Sequence, residues 1–338
     1  MIEELISSPV ANVSGTITNS IDKFMIFTTT ETNYTFTIPS GGVVCDILMI
    51  GGGGGGSLGG GGAGACIVAI NQTLPAGSCV VNVGVGAEGG NNSAINGGDS
   101  FITVEGKDRY RAKGGGKGGY NDQPPLGGCG GGSGLNPSTL IGGRAVTRNV
   151  VNGSTATIGP SITSTYAVFG TNGGTVTGST NDGFGGGGGI GDVGGNFNQG
   201  LVSGLGGNGL YQATINSQIY NFRTYFANNT TFGVQDGTTT NYYIGGGGGG
   251  SSYHKVGSTA GSGGKGGGGA GGDVKIQSLA VAGVANTGSG GGGNDPQIVN
   301  PFASGGSGIV IIRYREFPSP IPETEAIYKT ELAPLRLP

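Results

Sequence analysis

Unbroken runs of glycine constrain the fold of this chain more than any other feature of its sequence. Of the 338 residues, 82 are glycine. Each ordered glycine loses ~0.5–1 kcal/mol more backbone entropy than alanine, so a folded structure must offset this loss with a repeated favourable contact. Glycine is disfavoured in α-helices, and a strand of pure glycine has no side chains to pack. The runs lie at 51–64, 114–119, 127–134, 185–191, 245–250, 263–272, 290–293 and 305–308.

The remaining regular conformation is the threefold extended helix of the polyproline II type, with a rise of ~3.1 Å per residue. Collagen needs glycine only at every third position, because only one edge of each chain meets the crowded axis. Glycine at every position allows neighbours on all sides, so the runs predict a bundle of polyglycine II helices joined by backbone hydrogen bonds. The sequence IGGGGGGS occurs at 50–57 and again at 244–251, which predicts two equivalent packing positions.

Disorder is the competing interpretation of so much glycine. Disordered segments usually combine high charge with few apolar groups. Here charged residues make up 10% of the chain, the net charge is -3, and hydrophobic residues make up 34%. The apolar residues form short Val, Ile, Tyr and Phe runs between the glycine tracts. The composition therefore favours an ordered protein in which glycine tracts alternate with strands.

These short apolar runs predict β-strands. The last of them, GIVIIRY at 308–314, is almost continuously apolar, which predicts a strand that is buried on both faces and closes against the N-terminal strands. The predicted strands lie at 13–18, 34–38, 43–50, 66–70, 79–83, 100–104 and 308–314. Segments between the glycine tracts are predicted to be loops at the bundle ends, at 91–113 (around the strand at 100–104), 120–126, 149–182, 211–243 and 251–262.

Together these patterns predict an all-β fold: a β-sandwich-like region joined to a bundle of polyglycine II (PPII-type) helices, with an extended Pro-rich C-terminal arm. The N-terminal β region covers 1–50. The glycine-rich bundle domain with its loop insertions covers 51–316, and its closing strand at 308–314 packs on the β region. The arm covers 317–338, where prolines alternate with charged and apolar residues.

Two groups of side chains are candidates for binding. In the arm, apolar residues predict docking onto a neighbouring subunit; these candidate assembly residues are Ile321, Ile327, Tyr328, Leu332 and Leu335. The 211–243 segment holds the richest aromatic group, and aromatic side chains on scaffolded loops are typical of recognition surfaces. Its candidate recognition residues are Tyr220, Phe222, Tyr225, Phe226, Tyr242 and Tyr243. The alternative is that these rings cover a small core of the loop itself.

No motif indicates catalysis, so we expect a protein that is not an enzyme and binds no cofactor or metal. The strand and glycines at 47–56 match the dinucleotide-binding pattern GxGxxG, but SLGGGGAGA follows where that site needs a helix. The single histidine, His254, has no sequence-defined partner. The four cysteines form no CxxC pair and are most simply reduced core residues. A Cys66–Cys79 bridge remains an alternative.

Charge and hydropathy bear on the partners. The scattered lysines and arginines form no basic face, so nucleic acid is not an expected partner. No apolar stretch reaches the ~18 residues of a membrane-spanning helix, so no membrane insertion is expected. The N-terminal residues lack the basic and apolar regions of a secretion signal. We therefore expect a chain that is made in the cytoplasm.

The order of motifs resembles the glycine-rich domains of phage tail-fibre adhesins and of large DNA virus virion proteins. The resemblance rests on residues about 30–315: the strand at 43–50, IGGGGGGS, GGGGAGA, the turn LPAG at 74–77, VNVGVG at 81–86 and the terminal GGSGIVIIRY. It implies a β region joined to a packed polyglycine bundle, with recognition loops at its tip.

The Pro-rich arm departs from that pattern and favours a subunit built into a larger shell or fibre. The expected function is therefore that of a structural component of a virus particle, a minor capsid or fibre protein located in the virion. The expected partners are other virion proteins and further copies of the same chain. The alternative is a receptor-binding adhesin that recognises a host-surface glycan or protein through its aromatic loops.

Overall fold

The computed structural model describes residues 21–28, 30, 33–91, 93–122, 124–135, 141–145, 149–156, 161–177, 183–197, 202–227, 232–252, 258–295 and 302–316. Phe24–Tyr314 forms one compact unit. The described elements are mostly strands, which confirms the all-β prediction at this level. Helical structure among them is limited to a π-helical turn at Phe222–Phe226.

The strands follow one another along the chain as β1 (Ile21–Phe27), β2 (Tyr34–Ile38), β3 (Val43–Ile50), β4 (Cys66–Leu74), β5 (Gly77–Asn82), β6 (Ser100–Val104), β7 (Lys107–Ala112), β8 (Asn149–Val151), β9 (Ser154–Ala156), β10 (Ser161–Ile162), β11 (Tyr166–Phe169), β12 (Gln212–Ile215), β13 (Gln218–Asn221), β14 (Val234–Gln235), β15 (Tyr242–Tyr243) and β16 (Ile309–Glu316). The first six-stranded sheet has the order β1-β16-β3-β4-β11-β10, and the second has the order β2-β5-β6-β7-β8-β9. Two short ribbons, β12–β13 and β14–β15, lie outside these sheets.

Two hydrophobic clusters cover the two faces of the first sheet. One cluster joins it to the second sheet: Val310 and Ile312 of β16 lie there with Ile102 of β6. Ile309 and Ile311 of the same strand point to the other cluster. The alternation confirms that this strand is buried on both faces, and β16 pairs antiparallel with β3 as expected of a closing strand.

Three segments predicted to be loops contain strands in the structure: β7 lies in 91–113, β8 to β11 lie in 149–182, and β12 to β15 lie in 211–243. β7 pairs with β6, although its sequence KDRYRA carries three basic residues and an aspartate. Only Tyr110 and Ala112 of β7 are buried, so its apolar signal is too short to be recognised. β11 pairs with β4. Its apolar residues were not recognised as a strand because the surrounding segment is rich in Thr and Ser. The predicted strand at 13–18 lies outside the described residues.

The glycine tract after β3 stays paired with the chain segment that leads into β4. Ile50 pairs with Cys66 at the end of the β3–β4 hairpin. Beyond that pair the amides of Gly51 and Gly54 donate to the carbonyls of Ala65 and Gly62. The antiparallel register is therefore unchanged, but only every third amide now bonds this partner.

The intervening amides bond other chains, again at intervals of three residues. The amides of Gly52 and Gly55 donate to residues 98 and 95, and those of Gly53 and Gly56 donate to residues 306 and 303. The carbonyls of the same tract accept amides from three further segments, at 115–118, 87–90 and 291–294. The tract at 51–57 therefore has hydrogen-bonded neighbours on six sides.

The second copy of IGGGGGGS lies in an equivalent setting. Its amides donate to segments at 204–207, 58–61 and 269–272, and its carbonyls accept from segments at 187–190, 290–293 and 261–264. The two copies thus occupy equivalent packing positions, as predicted. We call the whole array the glycine core; its segments lie at 51–65, 84–90, 95–98, 113–119, 128–134, 142–143, 170–175, 184–191, 194–195, 203–209, 245–251, 258–272, 279–294 and 303–308.

Segments at the margin of the glycine core are buried on one side only. Along 84–90 the residues repeat in the order buried, exposed, half-buried, and the exposed positions are Val85 and Glu88. The segment at 258–265 repeats the same order, with Thr259, Ser262 and Lys265 exposed. Side chains therefore stand where a margin segment faces solvent, and long glycine runs are needed where a segment is surrounded.

Candidate recognition surface

The aromatic segment at 211–243 folds into two short ribbons and a turn. β12 and β13 form a hairpin whose two turn residues, Asn216 and Ser217, both have positive φ, which matches the twist of the flanking strands. The π-helical turn follows β13 directly. The side chain of Asn221 caps it by accepting from the amides of Arg223 and Thr224, each at 3.1 Å.

Two of the six candidate recognition residues are core residues. Phe222 and Phe226 are fully buried and pack against the first sheet in the same cluster as Ile309 and Ile311 of β16. Their rings are therefore not accessible to a ligand. For these two residues the structure supports the alternative interpretation, in which aromatic rings form a core beneath the loop.

Tyr225 and Tyr220 attach the segment to the sheet. The Tyr225 hydroxyl donates to a carboxylate oxygen of Asp46 at 2.8 Å, and the Arg313 guanidinium lies 3.9 Å from the Tyr225 ring centroid. Tyr220 packs edge-on against Tyr225 with the ring centroids 4.8 Å apart. Burial, followed by the hydrogen bond to Asp46, raises the pKa of Tyr225 above its usual range. The ring therefore serves as a neutral donor that fixes the turn.

Tyr242 and Tyr243 remain half-exposed and lie beside cationic groups. The Arg223 guanidinium stacks 3.5 Å from the Tyr242 ring centroid. Tyr243 packs against Tyr211 with centroids 5.0 Å apart, and the Lys265 ammonium lies 5.7 Å from the Tyr243 centroid. We call these five residues the tyrosine patch. Such stacked cations are worth about 0.5–1 kcal/mol at exposed sites.

An ion pair orients the lysine of the tyrosine patch. Lys265 Nζ lies 2.9 Å from a carboxylate oxygen of Asp236. This hydrogen bond lowers the pKa of Asp236 and raises the pKa of Lys265, so both groups stay charged over a wide pH range. Sequence patterns did not single out Arg223, Lys265 or Asp236, because their closeness depends on contacts between distant segments.

The glycine run that matches a dinucleotide-binding pattern lies inside the glycine core. All six glycines at 51–56 are buried. A Cβ atom added at Gly52, Gly53 or Gly54 would lie less than 3.0 Å from a backbone carbonyl oxygen of a neighbouring segment. No space is left beside this run for a pyrophosphate.

The four cysteines are free thiols, and all are buried. No Cys66–Cys79 bridge is present. Burial raises the pKa of Cys79 to about 11 and that of Cys129 to about 12. Burial, reinforced by Asp46 and Cys79, raises the pKa of Cys45 to about 12. These thiols are therefore protonated at neutral pH and behave as small apolar side chains.

The remaining sequence predictions concern His254, the arm, metal binding and membrane insertion. His254 and the five candidate assembly residues of the arm lie outside the described residues. Within the described ranges, no three His, Cys, Asp or Glu side chains form a group that could hold a metal ion. The described residues also include no helix of the length and apolar character needed to cross a membrane.

A comparison with family models finds one match, described as a glycine-rich domain, over residues 28–315. This range takes in β2 to β15, the whole glycine core and most of β16. A comparison with curated proteins finds no significant match.

Proposed function

The chain belongs to the glycine-rich domain family, and from this premise we propose that it is a structural component of a virus particle that acts through subunit–subunit contacts. The observation that carries the proposal is the glycine core, in which main chain packs directly on main chain. Such a core leaves few interior side chains for chemistry. What it offers is a dense, rigid body on which surface loops and chain ends can make contacts.

We further propose that the surrounded segments of the glycine core are polyglycine II helices. Support comes from the hydrogen bonds, which return to the same neighbour every third residue in the tracts at 51–57, 184–190 and 245–251. It also comes from the three-residue repeat of burial at 84–90. A helix with three residues per turn places equivalent groups at this interval.

The resemblance to glycine-rich virion proteins is the reason for proposing a virus particle as the assembly. Its most specific residues are those at the edges of the glycine core, where β3 and β16 pair and run directly into glycine tracts. Main-chain packing suits a particle component, because rigidity and resistance to local opening matter more there than a versatile pocket. The Pro-rich segment at 317–338 adds a means of joining one subunit to the next.

Mass spectrometry of purified virus particles, crosslinked before disruption, tests the proposal. We expect this chain among the virion proteins, with crosslinks to other virion proteins or to further copies of itself. Removal of residues 317–338 should reduce incorporation into particles. Absence of the chain from purified particles contradicts the proposal.

A second candidate function is a receptor-binding adhesin, and the tyrosine patch is the observation that favours it. Tyr242 and Tyr243 present ring surface next to Arg223, Lys265 and the polar turn at 236–241. Half-exposed tyrosines flanked by polar groups suit a sugar or a polar protein surface.

Replacing both Tyr242 and Tyr243 by alanine should abolish adsorption to host cells if the adhesin candidate is correct. Ile219→Ala, a change at a position of β13 that is 56% exposed and is not part of the tyrosine patch, is the matched control. If adsorption depends on the tyrosines while incorporation does not depend on residues 317–338, the adhesin replaces the structural component as the function.

A further inference from the structure

A cavity of about 300 Å³ lies where the first sheet meets the glycine core. One wall is the end of β1 with Ile26 and Thr28, and another is Ile309 and Ile311 of β16. Ala227, Phe232, Gly233 and the segment at 284–287 complete it. None of these lining residues carries a charge. The volume is at the lower end of the range for ligand sites and accommodates one or two aliphatic side chains.

The segment that lines the cavity with Val284 carries further exposed apolar side chains. Val284 lines the cavity and is itself 45% exposed, and Val281 and Leu279 on the same segment are 53% and 49% exposed. Ile276, which precedes these residues in the chain, is 70% exposed. We call the cavity with Leu279, Val281 and Val284 the apolar groove. Exposed apolar side chains beside an uncharged cavity are a feature of interaction sites in soluble proteins.

We propose that residues 317–338 of a second copy of the chain bind in the apolar groove. This inference rests on the proposed structural function, because it specifies the subunit contact. The segment is 22 residues long and carries spaced apolar residues, among them Ile327, Leu332 and Leu335. An extended chain of this length reaches about 68 Å at ~3.1 Å per residue, which is enough to cross to a neighbouring subunit.

The chemistry of groove and segment is complementary. Prolines at 318, 320, 322 and 334 favour an extended peptide. Extended peptides bind by placing spaced side chains into apolar pockets along a groove. The groove supplies one uncharged cavity and three exposed aliphatic side chains, and the segment supplies aliphatic residues several positions apart.

A second copy fits better than the same chain. β16 ends at Glu316, and the groove is lined by Ile309 and Ile311 near the opposite end of that strand. To reach the groove, the chain's own segment has to turn back along β16. Three prolines at alternate positions directly after the strand oppose such a reversal.

Photo-crosslinking with the full chain tests the proposal. A photoreactive amino acid replaces Val281, and copies labelled with ¹⁴N and ¹⁵N are mixed before irradiation. We expect crosslinked peptides that join position 281 of one copy to residues 317–338 of the other, in mixed-isotope pairs. Crosslinks confined to same-isotope pairs, or mapped to other residues, overturn the proposal.

Light scattering of full-chain variants gives the second readout. Val284→Asp places a charge in the groove and should weaken self-association at least about 10-fold, and Ile26→Asp on the opposite wall should do the same. Val202→Asp is the matched control, because Val202 is 51% exposed and lies outside the groove. Unchanged thermal unfolding confirms that the variants fold. Self-association that persists in both groove variants contradicts the proposal.

The segment itself provides the closing test. Leu332→Asp should weaken self-association as much as Val284→Asp does, and the double variant should show little further loss, because both remove the same contact. Full additivity overturns the proposed pairing. Particle mass spectrometry tests the proposed function separately. If copies pair through the groove but the chain is absent from virions, only the structural role is refuted. If the chain is present in virions but the groove variants do not change its self-association, only this inference is refuted.

Discussion

The interiors of the two sheets and of the glycine core are packed with different atoms. Between the sheets, side chains such as Ile47, Ile102 and Tyr110 fill the interior, and the main chains are separated by the length of those side chains. In the glycine core, hydrogen-bonded main chains contact each other directly. Side-chain packing can relax around a small change, whereas main-chain packing has no flexible atoms to move. We therefore expect equal changes in volume to have very different effects in the two regions.

The largest effect should come from one methyl group added to the glycine core. In Gly54→Ala the new Cβ would lie less than 3.0 Å from the carbonyl group of Gly116. The neighbouring segment must shift and lose hydrogen bonds, so we expect a loss of about 4 kcal/mol or more in the free energy of unfolding. Chemical denaturation measures this loss.

Gly237→Ala is the control for that experiment. Gly237 is exposed, and a Cβ atom there meets nothing within 4 Å. We expect a change within about 0.5 kcal/mol. Equal effects of the two substitutions would mean that the glycine core is not close-packed.

A smaller effect should come from the ionisation of a thiol in the glycine core. Cys129 has its pKa raised from 9.0 to about 12 by burial. Below pH 9 the thiol is neutral in both folded and unfolded states, so its full contribution to stability is present. Above pH 9 only the unfolded state ionises, and the contribution is lost as the pH rises towards 12. Between pH 9 and pH 11 this loss is roughly 2 kcal/mol.

Denaturation of the protein and of Cys129→Ser at several pH values measures this loss. A serine hydroxyl does not titrate in this range, so other alkaline effects cancel in the difference. The stability advantage of the cysteine should shrink above pH 9. A difference that is independent of pH would show that solvent reaches the thiol in the folded protein.

One methyl group removed from the sheets should cost less than one added to the glycine core. Ile47→Val leaves a small cavity in a cluster that can partly close around it, so we expect a loss of about 1 kcal/mol. The same denaturation experiment gives the value. Val44→Ala, at a position that is 54% exposed on the same strand, controls for strand propensity. A loss at Ile47 as large as that at Gly54 would remove the contrast between the regions.

The smallest effect should come from the margin of the glycine core. Val85 is 49% exposed between the buried Gly84 and the half-buried Gly86. Val85→Thr keeps the shape of the side chain and faces solvent, so we expect a change within about 0.5 kcal/mol. Thermal unfolding detects it. A loss above about 2 kcal/mol would mean that the outward positions are not free of packing constraints.

The parts of the fold that could be predicted are those with a local pattern. The apolar run of β16 predicted burial on both faces, and the repeated IGGGGGGS predicted two equivalent positions. β7 could not be predicted, because one face carries charged residues and only Tyr110 and Ala112 contribute apolar signal.

The candidate site was predicted only in part, because only its local pattern could be recognised in the sequence. Aromatic residues marked the 211–243 segment, but sequence cannot separate Phe222, which is buried, from Tyr242, which stays half-exposed. That difference depends on which side of the turn meets the first sheet. The contacts of Arg223 and Lys265 with the tyrosines also join segments that lie far apart in the chain.

Amide hydrogen exchange of the surrounded glycine runs tests the central claim most directly. The amides at 51–56 and at 247–250 each donate to a neighbouring main chain. They should therefore exchange only through global unfolding, as slowly as the amides of β3 and β4. Exchange of these glycines at the rate of an unstructured peptide, while the sheets stay protected, contradicts the account.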